Sequence, residues 1–166
     1  KEVIPSRALN ELQRLLASGE EASLCLAGDR ATFTVGQATL STSLLQIEFP
    51  NYRQLIQPNY PNSLTTAREP LLEAIRRCRI LARETTPVRL EMTATSLKLI
   101  VVTQDVGNTV EELDATMVGS DITVGFNPEY LAAGIEAVSG DEITIQTTDP
   151  IKPAVLRGVG APDYLY

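Results

Sequence analysis

The chain has 166 residues, of which 43% are hydrophobic and 21% charged, a composition typical of a folded globular protein. Its formal net charge of −7 argues against a uniformly basic surface for nucleic acid, so any such contact would need a local basic patch. No apolar run reaches the ~20 residues of a membrane-spanning helix, and the first residues lack the layout of a secretion signal. We therefore expect a cytoplasmic protein without a membrane anchor.

The first part of the chain predicts one strand, one helix and three further strands. A short strand over residues 1–5 leads to Ser6, which we interpret as the N-cap of a helix over 7–18 with apolar residues at helical spacing. Alternating apolar residues then predict strands over 23–27, 31–35 and 38–49. Cys25 and Cys78 have no CxxC spacing, and we expect two buried, reduced thiols.

The same order of elements follows twice more. The second repeat predicts a strand over 63–67, a helix over 71–82, and strands over 88–92, 97–103 and 108–118. The third predicts a strand over 121–126, a helix over 128–138 capped by Asn127, strands over 142–148 and 153–158, and a final strand that begins at 164–166. Repetition of this kind constrains architecture more firmly than any single element.

The predicted fold class is therefore α+β, built of repeated β-α-β-β-β units. One helix covers only part of the apolar face of such a unit, so two units are expected to pack together and bury their helices and sheets against each other. This logic makes residues 59–166 one complete domain, and residues 1–58 one half of a preceding domain.

The helix of the second repeat, PLLEAIRRCRILAR, carries an unusual set of arginines. At ~100° per residue, Arg76, Arg79 and Arg83 form one stripe beside the apolar face. A solvated helix face and a phosphate-binding stripe are both open interpretations. Ile80 points away from the core face and Leu81 flanks it, which is consistent with an isolated exposed residue or a protein interface.

Catalytic signals are weak throughout the chain. Histidine is absent, which removes the commonest general base and metal ligand. We find no GxSxG elbow and no glycine-rich phosphate loop, and adjacent acidic residues fall at turns or on opposite faces of strands. The sequence therefore predicts no catalytic residue, no metal site and no cofactor.

Four segments together resemble a known family. IEFPNYRQLIQP, RRCRILA followed by VRLEM, VGFNPEYLAAGIEAV and TTDPIKPAVL are similar, in this order, to the beta subunit of bacterial DNA polymerase III, the bacterial sliding clamp. The resemblance covers essentially the whole chain. It implies that the chain begins halfway through the middle domain of a three-domain subunit and stops just before the C-terminal tail.

The resemblance implies a fold and a function. The fold would be the DNA clamp fold, with helices on the pore side and antiparallel sheets outside. The function would be that of a non-catalytic processivity factor: a head-to-tail homodimeric ring that encircles duplex DNA without reading its sequence. Such a ring tethers the polymerase III alpha subunit, the clamp loader and other proteins through a hydrophobic peptide-binding pocket.

Family roles transfer to matching residues of this sequence. The peptide pocket would take apolar walls from the connector and further groups from the last domain: Pro50, Leu55, Asn127, Tyr130, Ile151 and Pro153. Arg76, Arg79 and Arg83 would face DNA, and Ile80 and Leu81 would form the subunit interface.

Other functions remain open at the level of sequence. The main alternative is a non-catalytic protein-binding module of repeated α+β units, possible also as an extracellular module, although the sequence lacks a secretion signal. A hydrolase acting through carboxylates is a further alternative, and it would require two acids that converge in one cleft.

Overall fold

A computed structural model describes residues 2–18, 21–49, 51–82, 86–104, 106–160 and 165–166. The chain divides into two compact units, a smaller unit over Lys1–Tyr52 and a larger unit over Arg53–Tyr166. The division lies inside the proline-rich connector, a few residues before the boundary that the sequence suggested.

The smaller unit contains one helix and one sheet. Helix α1 (Ser6–Leu15) precedes strands β1 (Ala22–Ala27), β2 (Arg30–Val35) and β3 (Ala38–Ser43), which pair antiparallel in that order. The predicted strand over 1–5 is reduced to a single bridge between Val3 and Leu45. Proline at position 5 has no N–H with which to continue a strand ladder.

Three local predictions in the smaller unit are wrong, the first being the strand over 38–49, because β3 ends at Ser43. Ser6 is the first helical residue of α1 and Pro5 takes the N-cap position, where no described side chain caps the helix. Cys25 is exposed, because both faces of β1 are exposed, whereas Cys78 is buried and reduced as predicted. Burial raises the pKa of the Cys78 thiol, which keeps that thiol protonated at neutral pH.

The larger unit contains the two predicted repeats. The first is β4 (Asn62–Ala67), α2 (Arg68–Leu81), β5 (Val88–Met92), β6 (Ser96–Thr103) and β7 (Gly107–Val118). The second is β8 (Ile122–Phe126), α3 (Pro128–Ala137), β9 (Glu142–Thr147) and β10 (Val155–Gly158). These strands form one antiparallel sheet of seven, in the order β10-β9-β4-β7-β6-β5-β8.

The sheet order reveals how the two repeats combine. The first strand of each repeat pairs with the second strand of the other, β4 with β9 and β8 with β5. Each repeat therefore completes the sheet of its neighbour, with an approximate two-fold relation between them. Beyond β10, Tyr166 donates its backbone N–H to Leu156 and accepts from the N–H of Leu156, at the place where the sequence predicts a further strand.

One hydrophobic core fills the larger unit. Helices α2 and α3 pack side by side and share a buried cluster with one face of the sheet. Leu71, Ile75 and Cys78 of α2 are buried in it, on the face that the helical periodicity predicted. In the strands, alternation of the side chains determines which residues are buried, and β6 buries every second residue. The core fixes α2 against α3, and this determines which polar side chains of the two helices meet.

Candidate functional site

An apolar pocket opens beside the start of α3. Its volume is about 440 Å³, within the usual range for a ligand site. The end of β8, the first turn of α3, the loop before β10 and Tyr166 enclose it, and its lining is mostly apolar: Val124, Gly125, Phe126, Asn127, Tyr130, Leu131, Pro150, Ile151, Lys152, Pro153, Ala154, Leu156 and Tyr166.

Asn127 fixes the wall that α3 contributes. Its side-chain oxygen accepts hydrogen bonds from the backbone N–H groups of Glu129 at 2.9 Å and Tyr130 at 3.3 Å. Pro128 follows at the first helical position, where its lack of an N–H costs nothing. The capped turn leaves the Tyr130 ring largely exposed at the mouth of the pocket. A rigid aromatic ring in this position offers contact area at a low entropic cost.

Asp149 fixes the opposite wall. Its carboxylate accepts hydrogen bonds from the backbone N–H groups of Ile151 and Lys152, both at 3.0 Å, and lies 3.1 Å from the Lys152 ammonium. These bonds, the one from Ile151 first, lower the pKa of Asp149 below its ordinary value. The resulting turn directs Ile151 into solvent at 93% exposure. An aliphatic side chain held outward beside an apolar pocket is available to a bound partner.

The second polar feature lies between α2 and α3. The Arg76 guanidinium donates to the Glu136 carboxylate at 2.9 Å, and Arg79 donates to Glu129 through both Nε and Nη2. All four side chains are at least one-third exposed. The two arginines thus lie together on one surface, and each is paired with a carboxylate of the neighbouring helix.

Arg77 belongs to a different face of α2. It forms a bidentate pair with Glu111 of β7, with both distances at 2.9 Å, and a longer contact with Glu73. The hydrogen bond from Arg77 lowers the pKa of Glu111 and raises that of Arg77. This pair joins α2 to the sheet and is separate from the surface of Arg76 and Arg79.

Comparisons with known proteins agree with this geometry. Residues 53–166 match the family model described as DNA polymerase III beta subunit, C-terminal domain. The chain is 32% identical to a beta sliding clamp of Synechococcus elongatus and 30% identical to one of Streptomyces coelicolor, covering 98% and 97% of this chain and 45% and 44% of theirs. This chain belongs to the DNA polymerase III beta subunit family. It spans about half the length of the curated relatives that it matches.

A solved structure confirms the fold. A beta sliding clamp of C. crescentus superposes with a TM-score of 0.89 at 25% identity, covering 99% of this chain and 44% of the other. The clamp fold, with its repeated β-α-β-β-β units, is therefore the fold of this beta-subunit family member, as the sequence predicted.

The larger unit of this clamp-family chain brings together most of the predicted pocket residues. Asn127, Tyr130, Ile151 and Pro153 all line the apolar pocket beside α3. Leu55 is exposed in the connector and is not among the described residues that line it. Pro50 lies outside the described residues.

The other predicted site residues lie on α2 or beyond its end. Arg76 and Arg79 share a surface, while Arg83 lies outside the described residues. Ile80 is 83% exposed, and Leu81 packs at the edge of the core, where its carbonyl accepts a hydrogen bond from Thr103. The interface assigned to Ile80 and Leu81 and the DNA-facing role of the arginines remain predictions.

Sequence reasoning missed several functional candidates. The most informative omissions are Asp149 and Lys152 in the pocket turn, and Glu129 and Glu136 opposite the arginines. Asp before Pro is a turn signal that could have identified Asp149. Glu129 and Glu136 are seven residues apart, hence on one face of α3, but their pairing with α2 follows only from tertiary packing.

The described parts of the chain contain no group of three or more histidine, cysteine, aspartate or glutamate residues placed to hold a metal ion. None of the described helices is long and apolar enough to cross a membrane.

Proposed function

We propose that this chain forms part of a ring-shaped sliding clamp that holds replication proteins on duplex DNA. Family membership supplies the general reason. The observation that carries the proposal is the convergence on one apolar pocket of Asn127, Tyr130, Ile151 and Pro153, to which the family resemblance assigns peptide binding.

The pocket fits a short peptide with large apolar side chains. Its lining is predominantly apolar, and its two walls are held by backbone hydrogen bonds to Asn127 and Asp149. A preorganised apolar site loses little entropy when an extended peptide docks into it. We assign this role to linear motifs of the polymerase III alpha subunit, the clamp loader and other replication proteins. Leu55 and Pro50 of the connector are proposed as additional apolar contacts.

The arginine surface fits duplex DNA without base recognition. Arg76 and Arg79 are exposed on a helix of an otherwise acidic chain, and we assign Arg83 to the same stripe. Contacts to phosphate position a protein on DNA without carrying sequence information. Such contacts suit a ring that must slide, because a uniformly basic pore would bind too tightly.

Ring closure requires an interface. Ile80 projects into solvent at the C-terminal end of α2, and Leu81 lies beside it. We assign both to a head-to-tail homodimer contact. In this assembly the chain is a non-catalytic, cytoplasmic subunit, and processivity comes from topology.

The test is retention on closed DNA. The full natural chain is loaded by its clamp loader onto a nicked circular plasmid, and the DNA-bound protein is isolated by gel filtration before and after linearisation. We expect retention on the circle and loss from the linear form. A charge-reversed Arg76→Glu/Arg79→Glu variant should load poorly while keeping its circular dichroism spectrum.

Two outcomes of this experiment would contradict the proposal. Equal retention on circular and linear DNA would contradict topological binding. A protein that binds the apolar peptide but is never retained on circular DNA would instead be a protein-binding module, the alternative function.

A further inference from the structure

We propose that Glu129 and Glu136 compete with DNA phosphates for Arg79 and Arg76, and so weaken DNA binding enough to permit sliding. The inference rests on the proposed function, because it concerns the DNA contact of the same surface. It gives a role to two acidic residues on the surface where a DNA-binding protein would be expected to present only basic ones.

The geometry of the helix pair carries the inference. Arg76, earlier in α2, contacts Glu136, late in α3, whereas Arg79, later in α2, contacts Glu129 in the first turn of α3. The two helices therefore run in opposite directions, and both arginines on this surface meet a carboxylate. Helix packing supplies the pairing, since the two helices share one core.

Each carboxylate occupies the donors that a phosphate would use. Arg79 presents Nε and Nη2 to the two oxygens of Glu129, which is the bidentate geometry that guanidinium groups also offer to phosphate. A phosphate can take this bidentate Nε and Nη2 position of Arg79 only by displacing the carboxylate. The local field of the arginine surface is also reduced, because two negative charges lie within hydrogen-bonding distance of two positive ones.

The pairs are suited to rapid exchange. All four side chains are at least one-third exposed, and exposed ion pairs of this kind contribute little net stability. An incoming phosphate therefore meets no large barrier, and a departing one is replaced by a carboxylate at once. Exchange of this kind keeps each arginine paired at every stage, so no phosphate position along the duplex is strongly preferred.

The decisive experiment removes the two competing charges. Glu129→Gln/Glu136→Gln in the full natural chain preserves size and the backbone cap of α3, which uses the N–H of residue 129. Binding of a short fluorescein-labelled linear duplex, onto which a ring can thread from an end, is followed by fluorescence anisotropy at several salt concentrations. We expect tighter binding, by about 2- to 5-fold for each glutamate at low salt.

The salt dependence separates this mechanism from a structural effect. Phosphate that displaces a carboxylate releases fewer counterions in total than phosphate that binds an unpaired arginine. The slope of log affinity against log salt concentration should therefore be steeper in the variant, by up to about 0.9 for each arginine freed. A change in fold or stability alone would not steepen this slope.

A matched control variant has the same change in net charge elsewhere. Glu112 and Asp114 are exposed on β7, on the sheet face opposite to the one that carries Glu111 and its contact with Arg77. Glu112→Gln/Asp114→Asn should change affinity and slope much less than the helix variant. Equal effects of the two double variants would contradict local competition and indicate a general charge effect.

Arg76→Gln/Arg79→Gln distinguishes failure of this inference from failure of the proposed function. If the arginine variant binds DNA more weakly and the glutamate variant is unchanged in affinity and slope, the competition is refuted and the DNA-facing role stands. If neither variant alters DNA binding, the DNA-facing role itself is refuted, and the competition with it.

Discussion

The two units of this chain are built from the same kind of repeat, yet they bury very different amounts of apolar surface. The smaller unit has one helix and three strands, and its buried hydrophobic residues among those described are Ala8, Ala31, Phe33 and Val35. Its strand β1 is exposed along its whole length. In the larger unit two repeats share one sheet and one extensive core. A single repeat cannot cover its own apolar face, and a second repeat supplies both the cover and the missing strand neighbours.

Leu9, Leu72 and Leu131 lie at equivalent helix positions of the three repeats, at offsets of 63 and 59 residues, and their burial measures this difference. Leu72 and Leu131 are buried in the larger unit at 3% and 2% exposure, whereas Leu9 of α1 is 44% exposed. The same residue type at the same place in the repeat is a core residue only where a second repeat packs against it. The functional features follow this division, since the pocket and the paired arginines both lie in the larger unit.

Truncation of a helix leucine should show the largest difference between the two units. Leu72→Ala removes a side chain that is only 3% exposed and should lower the free energy of unfolding of the larger unit by about 2–5 kcal/mol. Leu9→Ala, the counterpart in the smaller unit, should cost less than about 1 kcal/mol because Leu9 is already half solvated. Urea denaturation followed by circular dichroism measures both. Equal losses would contradict the assignment of the cores.

Two glycines test close packing in the larger unit against open space in the smaller one. Gly119 has φ +121°, and a Cβ there would lie 2.5 Å from the Pro61 carbonyl oxygen and 2.9 Å from the Asn62 Cα. Gly119→Ala should cost about 1–3 kcal/mol from overpacking, with backbone strain in addition. Gly28, in the β1–β2 turn, has φ +59° with open space around it, so Gly28→Ala should cost only the ~1 kcal/mol of left-handed strain. Thermal unfolding ranks the two, and the reverse order would contradict the packing described.

Helix capping offers a smaller contrast. Asn127→Ala removes the side-chain acceptor of two backbone N–H groups and should destabilise α3 by about 1 kcal/mol. Ser6→Ala should be close to neutral, because Pro5 occupies the cap position of α1 without a described side-chain cap. Denaturation midpoints measure both effects. The Asn127 variant should also bind an apolar peptide more weakly, since the pocket wall loses its support.

The smallest expected effect concerns acid. The pKa of Glu111 is lowered in the folded state by its hydrogen bond with Arg77, so the pair stabilises the fold above the ordinary glutamate pKa of about 4.3. That contribution is lost as pH falls through the lower, folded-state pKa. Glu111→Gln should therefore be slightly less stable than the wild type at pH 7, and the gap should close on acidification. If the difference in stability between the wild type and Glu111→Gln grew as the pH fell, the stabilising role of the Glu111–Arg77 pair would be contradicted.

Much of the fold could be predicted from the sequence because its signals are local. Alternation in VRLEM and the helical spacing of Leu71, Ile75 and Cys78 each depend on a few neighbouring residues, and the repeat then fixes the order of elements. The local failures lie in the smaller unit, where Cys25 is exposed and β3 ends at Ser43. Pro5 stops the first strand and displaces Ser6 from the cap position, although the sequence did predict a helix there.

The site was predictable only in part, for a physical reason. Asn127 and Pro128 are a typical helix start in sequence. The family resemblance assigned Tyr130, Ile151 and Pro153 to the pocket. The pairing of Arg76 with Glu136 and of Arg79 with Glu129 depends on how α2 packs against α3, which no single-helix pattern contains. The sequence of α2 alone therefore suggests a more positive surface than the folded helix pair presents, because Glu129 and Glu136 of α3 pair with its arginines.

Peptide titration of the isotope-labelled chain tests the central claim most directly. A short peptide with two large apolar side chains is added to the 15N-labelled chain, and backbone amide shifts are followed by NMR. We predict shifts concentrated at residues 124–131 and 150–156, and their loss in Ile151→Asp, whose exposed side chain leaves the fold unaffected. Shifts confined to β1–β3 of the smaller unit, or none at millimolar peptide, would contradict the assignment of the pocket.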